Sequence, residues 1–282
     1  MINVFKKLSL ILSDYQLAIL MFIFKHRYFP NFKNPRSLSE KINYIKLYNR
    51  NPLRKTVVDR LKVRDYVIKK APELSLPNIL WHGHHFDEKT WISLPDKFAI
   101  KANHGSKMTK IVNKKQDYWY DVKSITEQWL LKDYSKLGRE WIYADLEKYL
   151  IVEELLTFKN EVPPDFKFFV FQGKVELIQV DLDRFKKHRR NLFTPAFEKM
   201  NALLAYPDSE VSVPKPKLLD KAIGFSEAIG KDFDFIRVDL YLLKEKIVFG
   251  ELTNTPENGF AKFTPRSLDF ELGEKLPLKI DR

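Results

Sequence analysis

A mixed α+β fold is expected for this 282-residue chain, and three patterns point to it. Apolar residues at helical spacing dominate the stretch up to about residue 95. From Pro95 onward, short β-patterned runs alternate with single helical stretches. The segment Arg237 to Asn254, RVDLYLLKEKIVFGELTN, reads as a hairpin with one carboxylate on each arm.

The elements follow from local signals. Ser37-Leu38-Ser39-Glu40 opens a helix with a capping box, and KINYIKLYNR continues it with apolar residues on one side. A second helix is expected from Pro52 to Lys69, ended by Ala71-Pro72. Trp81 to His85, WHGHH, has no acid or Cys at a ligand spacing, so a loop with polar aromatics is preferred over a metal site. DKFAIKANHGSKMTKIV then reads as strand, glycine turn and strand. Trp129 to Leu150 is expected to be mostly helical, and Tyr149 to Leu155 to be a short apolar strand. DFKFFVFQGKVELIQVDLD forms a hairpin about Gln172-Gly173, residues 217 to 231 a helix, and Arg237 to Asn254 a hairpin turning at Lys244-Glu245-Lys246. Pro207, Pro214 and Pro216 mark an exposed connection, and there is no internal repeat.

Composition narrows the function. The absence of Cys excludes a disulfide framework, a Cys-based zinc site and a thiol nucleophile, and fits a reducing cytoplasm. Lys and Arg outnumber Asp and Glu by 49 to 37, a net charge of +12 that favours anionic partners. None of the residue patterns of the common nucleic-acid modules is present, so no specific nucleic acid is expected. The N-terminal apolar stretch is interrupted by Ser13, Asp14 and Gln16 and flanked by Lys6, Lys7, Lys25 and Arg27. It is too broken to span a membrane and reads as an amphipathic helix, packed on the body or in peripheral contact with anionic lipid.

The chemistry-bearing residues lie at strand ends. Lys101 closes an apolar strand and is followed by Asn103-His104-Gly105-Ser106, a pattern that offers an ammonium and backbone N–H groups to phosphate oxygens. Glu153 and Glu154 end the next apolar strand before Leu155-Leu156, and alternation sends the two acids to opposite faces. Lys167 sits among phenylalanines, where an ammonium needs an anion or a route to water. In the last hairpin, closure about Glu245 places Asp239 opposite Glu251, a repulsive pair unless a cation lies between. Hard carboxylate oxygens of this kind suit Mg²⁺ bridging phosphates. Arg237 shares a strand face with Asp239.

The order of these segments resembles the ATP-grasp superfamily, and most closely its TupA-like branch found among bacterial surface-polysaccharide genes. The matching stretches are SLSEKINYIKLYNR, LPDKFAIKANHGS, YLIVEELL, DFKFFVFQGKV and FDFIRVDLYLLKEKIVFGELTNTPENG, which cover most of residues 37 to 260. The resemblance implies two α+β subdomains clamping ATP: a small one at 96–156 and a large one at 157–282, behind a helical region at 1–95. It implies Lys101, the His104-Gly105-Ser106 turn and Lys167 on the phosphates, the Glu153-Glu154-Leu155-Leu156 hinge on adenine and ribose, and Mg²⁺ on Asp239 and Glu251. The superfamily usually carries an asparagine two positions after the metal glutamate; here Thr253 stands there and Asn254 follows, leaving the third ligand open between them. Lys167 and Arg237 would act on the transferred phosphoryl group. The implied activity is phosphorylation of a carboxylate followed by attack of an amine, with a carboxylate-bearing sugar or polysaccharide and an amine or amino acid as substrates.

Two other readings compete. Asp181-Leu182-Asp183 matches the Asp-x-Asp of nucleotide-sugar glycosyltransferases, but leaves Lys101, Lys167 and the hinge unexplained. A non-catalytic scaffold of the same pathway would keep the fold alone. The basic stretch Arg184 to Arg190 is expected to face the acceptor, where it suits a polyanionic sugar.

Overall fold

The computed structural model describes residues 11–156, 163–182 and 187–280. The first ten residues of the N-terminal stretch and positions Asp183, Arg184 and Lys186 of the acidic and basic motifs lie outside the described residues. The mixed α+β class holds, with both larger sheets built from antiparallel neighbours wherever their register is defined. Two compact units form, one from residues 1–50, 164–239 and 253–282, the other from 51–163 and 240–252. The helical first 95 residues are therefore divided between the units, and the last hairpin crosses the boundary.

The first unit begins with helix α1 (Asp14–His26), whose Ser13 and Gln16 form a capping box. Ala18 and Phe22 of α1 pack with Phe32 in a small apolar cluster, so the helix has an internal packing role. No described helix is long and apolar enough to cross a membrane. Helix α2 (Leu38–Tyr48) has the expected capping box, with the Ser37 side chain accepting from the Glu40 N–H and the Glu40 carboxylate accepting from the Ser37 N–H.

In the second unit the expected Pro52–Lys69 helix is two helices, α3 (Pro52–Val58) and α4 (Lys62–Lys70). Asp59 makes the break: its Oδ1 accepts from the N–H groups of Leu61 (2.9 Å) and Lys62 (3.2 Å), a local side-chain-to-backbone turn that competes with continuation of the helix. Strand β1 (Ile79–Gly83) takes up the start of WHGHH, α5 (Glu88–Ser93) follows, and β2 (Lys97–Ala102) and β3 (Thr109–Asn113) form the expected strand-turn-strand. The stretch expected to be helical from Trp129 is mostly otherwise. Helix α6 (Trp119–Leu131) ends there, α7 (Tyr134–Gly138) and one 3₁₀ turn (Trp141–Tyr143) are short, and β4 (Leu150–Glu154) begins. The sheet order is β1-β4-β2-β3.

Strand alternation gives this sheet two characters. Phe98, Ile100 and Ala102 of β2 join Leu150 and Val152 of β4, Val112 of β3, and Val122 and Trp129 of α6 in one apolar core. Lys101 is one residue out of phase with that set, so it projects from the other face.

The first unit continues with β5 (Asp165–Phe171) and β6 (Lys174–Leu182), joined at Gln172-Gly173, whose φ values of 48° and 82° are those of a tight hairpin turn. Next come β7 (Arg189–Phe193), β8 (Leu203–Leu204) and α8 (Leu219–Gly230). After them come β9 (Phe235–Leu242), β10 (Ile247–Thr253), the short β11 (Phe263–Thr264) and α9 (Arg266–Glu274). The five-stranded order is β10-β9-β5-β6-β7. The Leu243 N–H donates to the Lys246 carbonyl at 2.9 Å, so the hairpin tip is the pair Lys244-Glu245, and the expected centre on Glu245 is displaced.

Helices α2 and α9 cover the sheet through Leu38, Ile42, Leu268 and Leu272, which meet Phe169, Leu177, Leu192 and Phe235. Two residues along from these apolar positions, the same faces of the strands carry Lys167, Gln179, Arg190 and Arg237. One sheet face is thus apolar at one end and charged at the other.

Candidate functional site

The charged end of that face is buried. Asp165, Lys167, Asp181, Arg190, Arg237 and Asp239 are each at most 7% exposed. Charges this deep persist only when they are paired and hydrogen-bonded. The Lys167 ammonium donates to both Asp165 and Asp239. Arg237 closes on Asp239 with Nε to Oδ1 and a terminal nitrogen to Oδ2, both at 2.7 Å, and the same nitrogen reaches Thr253 Oγ1 at 2.9 Å. Lys167 therefore does not reach past the sheet to water; it belongs to an ion network with Asp239 at its centre. Asp165 is not singled out from the sequence, although an acid two residues before a buried lysine on one strand is a readable signal; Thr253, one of the two candidates for the third ligand, is here a partner of Arg237. Asn254 is buried.

One strand further along, Asp181 receives the Arg190 Nε at 2.7 Å and the Gln179 amide at 3.0 Å. Burial pushes the Asp181 carboxyl up, but Arg190, helped by Lys167 and His188, outweighs it and holds the group down at about 2. Arg190 also donates to the Leu204 carbonyl, reaches Glu257 at 3.4 Å and stacks over Tyr206. Its guanidinium is spent on the fold, and Arg189 donates one hydrogen bond to the Asp208 carbonyl. The acceptor role expected of the basic stretch therefore does not extend to Arg190, and Asp181 of the Asp-x-Asp motif is committed to a guanidinium.

The second unit holds its own set. Lys101 is ion-paired with Glu153, which is diagonal to it across β2 and β4 on the face away from the apolar core. Glu154, on the opposite face, accepts from the Asn78 backbone at 3.3 Å and side chain at 3.0 Å. Leu155 and Leu156 follow, half-buried.

The turn after Lys101 is pinned at three points. The Asn103 amide donates to the Glu147 carbonyl at 2.7 Å while its oxygen accepts the Tyr149 N–H at 2.9 Å. The buried His104 ring lies 2.9 Å from the Trp129 carbonyl, which can only accept, so Nε2 carries the proton. Burial lowers the His104 pKa, the Trp129 carbonyl opposes that, and Lys148 adds to it; the ring is a neutral anchor. Gly105 is required by space: a Cβ there would lie 2.4 Å from Met108 Cε and 2.7 Å from the Tyr134 ring. Ser106 is exposed beside it.

Glu251 of β10 is ion-paired at 3.5 Å with Arg60, a residue that the sequence reading passed over. Asp239 is counted with the first unit and Glu251 with the second. Among the described residues no group of three His, Cys, Asp or Glu side chains could hold a metal. The three histidines of WHGHH do not converge either: His84 sits on the Lys148 carbonyl at 2.9 Å and on Glu147 at 3.3 Å.

A family model described as TupA-like ATPgrasp matches residues 40–277, most of the chain. The chain belongs to this ATP-grasp family. No curated protein matches it. Among solved structures it is similar to the D-alanine–D-alanine ligase of Bacillus anthracis complexed with ATP, at 13% identity and a TM-score of 0.42 over 71% of this chain and 54% of that one. It is also similar to the ATP-grasp ligase PsnB complexed with a phosphomimetic precursor variant, Mg and ADP, at 12% identity and a TM-score of 0.44 over 85% of this chain and 65% of that one. A third is the N5-carboxyaminoimidazole synthase of Aspergillus clavatus with ADP, at 14% identity and a TM-score of 0.40 over 71% and 44%. This ATP-grasp chain spans about half the length of the D-alanine–D-alanine ligases it resembles.

Proposed function

We propose that this TupA-like ATP-grasp protein is an ATP- and Mg²⁺-dependent ligase that joins a carboxylate to an amine, with ADP and phosphate released. The observation that carries the reading is the buried network Asp165–Lys167–Asp239–Arg237. A fold gains little from four buried charges that apolar residues could replace, whereas phosphoryl transfer is catalysed mainly by positioned charge.

Carboxylate oxygens are donors of the kind Mg²⁺ takes, although both oxygens of Asp239 are engaged by Arg237 and Lys167, which would have to give way to the ion. This ion is ordinarily held by one or two carboxylates together with substrate phosphates rather than by an all-protein cage. Asp239 and Glu251 would hold it, with Thr253 or Asn254 as the third protein group, and bound there it neutralises charge on the phosphates. Lys101, with the His104-Gly105-Ser106 turn, binds phosphate oxygens, and Glu153 to Leu156 form the hinge against adenine and ribose. In the first step a carboxylate oxygen of the substrate attacks the γ-phosphorus and the bond to the β-phosphate oxygen breaks, leaving ADP and an acylphosphate. Lys167 and Arg237 stabilise the negative charge of the transferred group. An amine then attacks the acyl carbon, phosphate leaves and the nitrogen loses a proton, giving the amide.

The TupA-like resemblance suggests a uronic acid of a bacterial surface polysaccharide as the carboxylate and an amino acid or amine as the nucleophile. With it goes a cytoplasmic site of action, with peripheral contact of α1 at the inner membrane face. The test incubates the protein with ATP, Mg²⁺, pooled amino acids and uronic-acid oligosaccharides. ADP together with a product heavier by one amide-linked unit is expected. AMP as the nucleotide product would mean an adenylate route, UDP release from a sugar donor would mean a transferase, and no nucleotide turnover would leave the scaffold reading.

A further inference from the structure

The turn between α3 and α4 carries two adjacent charged residues with different surroundings. Asp59 is fully buried and holds four groups: the N–H of Leu61, the N–H of Lys62, the Tyr149 hydroxyl and, at 3.5 Å, the Asn103 amide. Tyr149 and Asn103 flank the end of β2 and the start of β4, so Asp59 fastens the turn to the strand ends where Lys101 emerges. The next residue cannot stray. Arg60 Nε donates to the carbonyl of Ala102, the residue after Lys101, at 3.2 Å. One terminal nitrogen reaches Glu251 at 3.5 Å, a long contact on a carboxylate that is 40% exposed. A guanidinium has five N–H donors, and among the described residues Arg60 uses only two of them.

The neighbourhood is that of the glycine turn. Burial pushes the Tyr134 hydroxyl up, followed by the charge of Glu140; the Ser106 hydrogen bonds lower it and Glu251 raises it. The ring of Tyr134 is the one that excludes a side chain at Gly105. Arg60 thus sits on the Ala102 carbonyl, one residue beyond Lys101, and each of these two cations is restrained by an acid, Glu251 and Glu153.

We propose that Arg60 is a further phosphate-binding cation, acting beside Lys101 on the polyphosphate of the nucleotide and positioned by Ala102 and Glu251. The inference rests on the ATP-dependent reading given above. Arg60 supplies a planar fork that matches two phosphate oxygens, where Lys101 supplies a point charge.

The test compares wild type, Arg60→Ala and Arg60→Lys by calorimetric titration with ATP, with inorganic tripolyphosphate and with adenosine. Arg60→Ala is expected to lose tenfold or more for ATP and for tripolyphosphate by similar factors, with adenosine affinity unchanged; Arg60→Lys recovers part of the loss. Equal losses for ATP and adenosine would show a structural role and overturn the proposal, as would unchanged affinity for both polyphosphates. Wild type failing to bind ATP would sink the ligase reading itself. Should Arg60→Ala not fold, judged by its melting transition, the same comparison is made on Arg60→Lys. That variant keeps the charge and loses the fork, and it is expected to weaken both polyphosphates without touching adenosine.

Discussion

Arg237 lays both arms of its guanidinium on Asp239, at 2.7 Å each, while Lys167 donates to the same carboxylate from the neighbouring strand. Asp239 is therefore the common anion of two buried cations, and its removal takes a charged partner from both. Breaking a buried pair by deleting one member costs roughly 3–5 kcal/mol, because the other stays buried and uncompensated. Asp239→Asn is expected to lower stability by an amount at the bottom of that range, since Asp165 remains, and to abolish Mg²⁺-dependent ADP release. Urea unfolding alongside an ADP assay checks both; an unshifted unfolding midpoint would show that the network contributes nothing to the fold.

Lys101 presents the opposite balance. Its partner Glu153 is buried and its own ammonium is partly exposed, so the pair is half open to an incoming anion. Lys101→Met is expected to weaken ATP binding about tenfold or more, the scale of one charge-assisted hydrogen bond. It also leaves Glu153 unpaired, so a lower melting temperature accompanies the loss. Unchanged nucleotide affinity would take Lys101 off the phosphates.

How much of this was legible follows from the range of each interaction. The Ser37–Glu40 capping box, the Gln172-Gly173 turn and the strand before Glu153-Glu154 are decided within a few residues, and the sequence shows them directly. The break at Asp59 is decided by Leu61 and Lys62 but reinforced by Tyr149 and Asn103, far along the chain, so a continuous helix was the natural local reading. The same distance hides Arg60, whose partners Ala102 and Glu251 lie 42 and 191 residues away. Lys167 was legible as an ammonium in need of an anion, yet not that Asp165 and Asp239 would both supply it. A run of positive charge does not reveal which member turns inward, so the sequence does not mark Arg190 as the partner of Asp181.

Two buried aspartates give the first unit opposite pH responses. Asp269 of α9 accepts from both the N–H and the hydroxyl of Ser39, at 2.9 and 3.0 Å. Burial nevertheless raises its pKa to about 6, against the lowering effect of those hydrogen bonds. The folded state then holds this proton more tightly than the unfolded chain, so stability falls as pH rises from about 4 to about 6, by up to roughly 3 kcal/mol for a shift of about two units. Asp181, held at about 2, contributes stability that is complete above about 4 and lost as pH falls toward 2. Asp269→Asn keeps an oxygen for Ser39 and cannot ionise. Its stability relative to wild type is expected to improve between pH 4 and pH 7 in urea titrations; a constant difference across that range would mean that Asp269 titrates normally.

Helix α8 supplies a control within one element. Gly230, at its end, faces β5 so closely that a Cβ would lie 2.4 Å from Cγ1 of Val170. Gly224, in its middle, has nothing within 4 Å. An alanine at an open helical position removes backbone freedom from the unfolded chain and favours the helix by about 0.5–1 kcal/mol. Overpacking against a buried strand costs about 1–3 kcal/mol, because neither the helix nor Val170 can move without disturbing its neighbours. Gly224→Ala is therefore expected to raise the unfolding midpoint, and Gly230→Ala to lower it. Two shifts of the same sign would mean that α8 does not seat on β5 at the distance described.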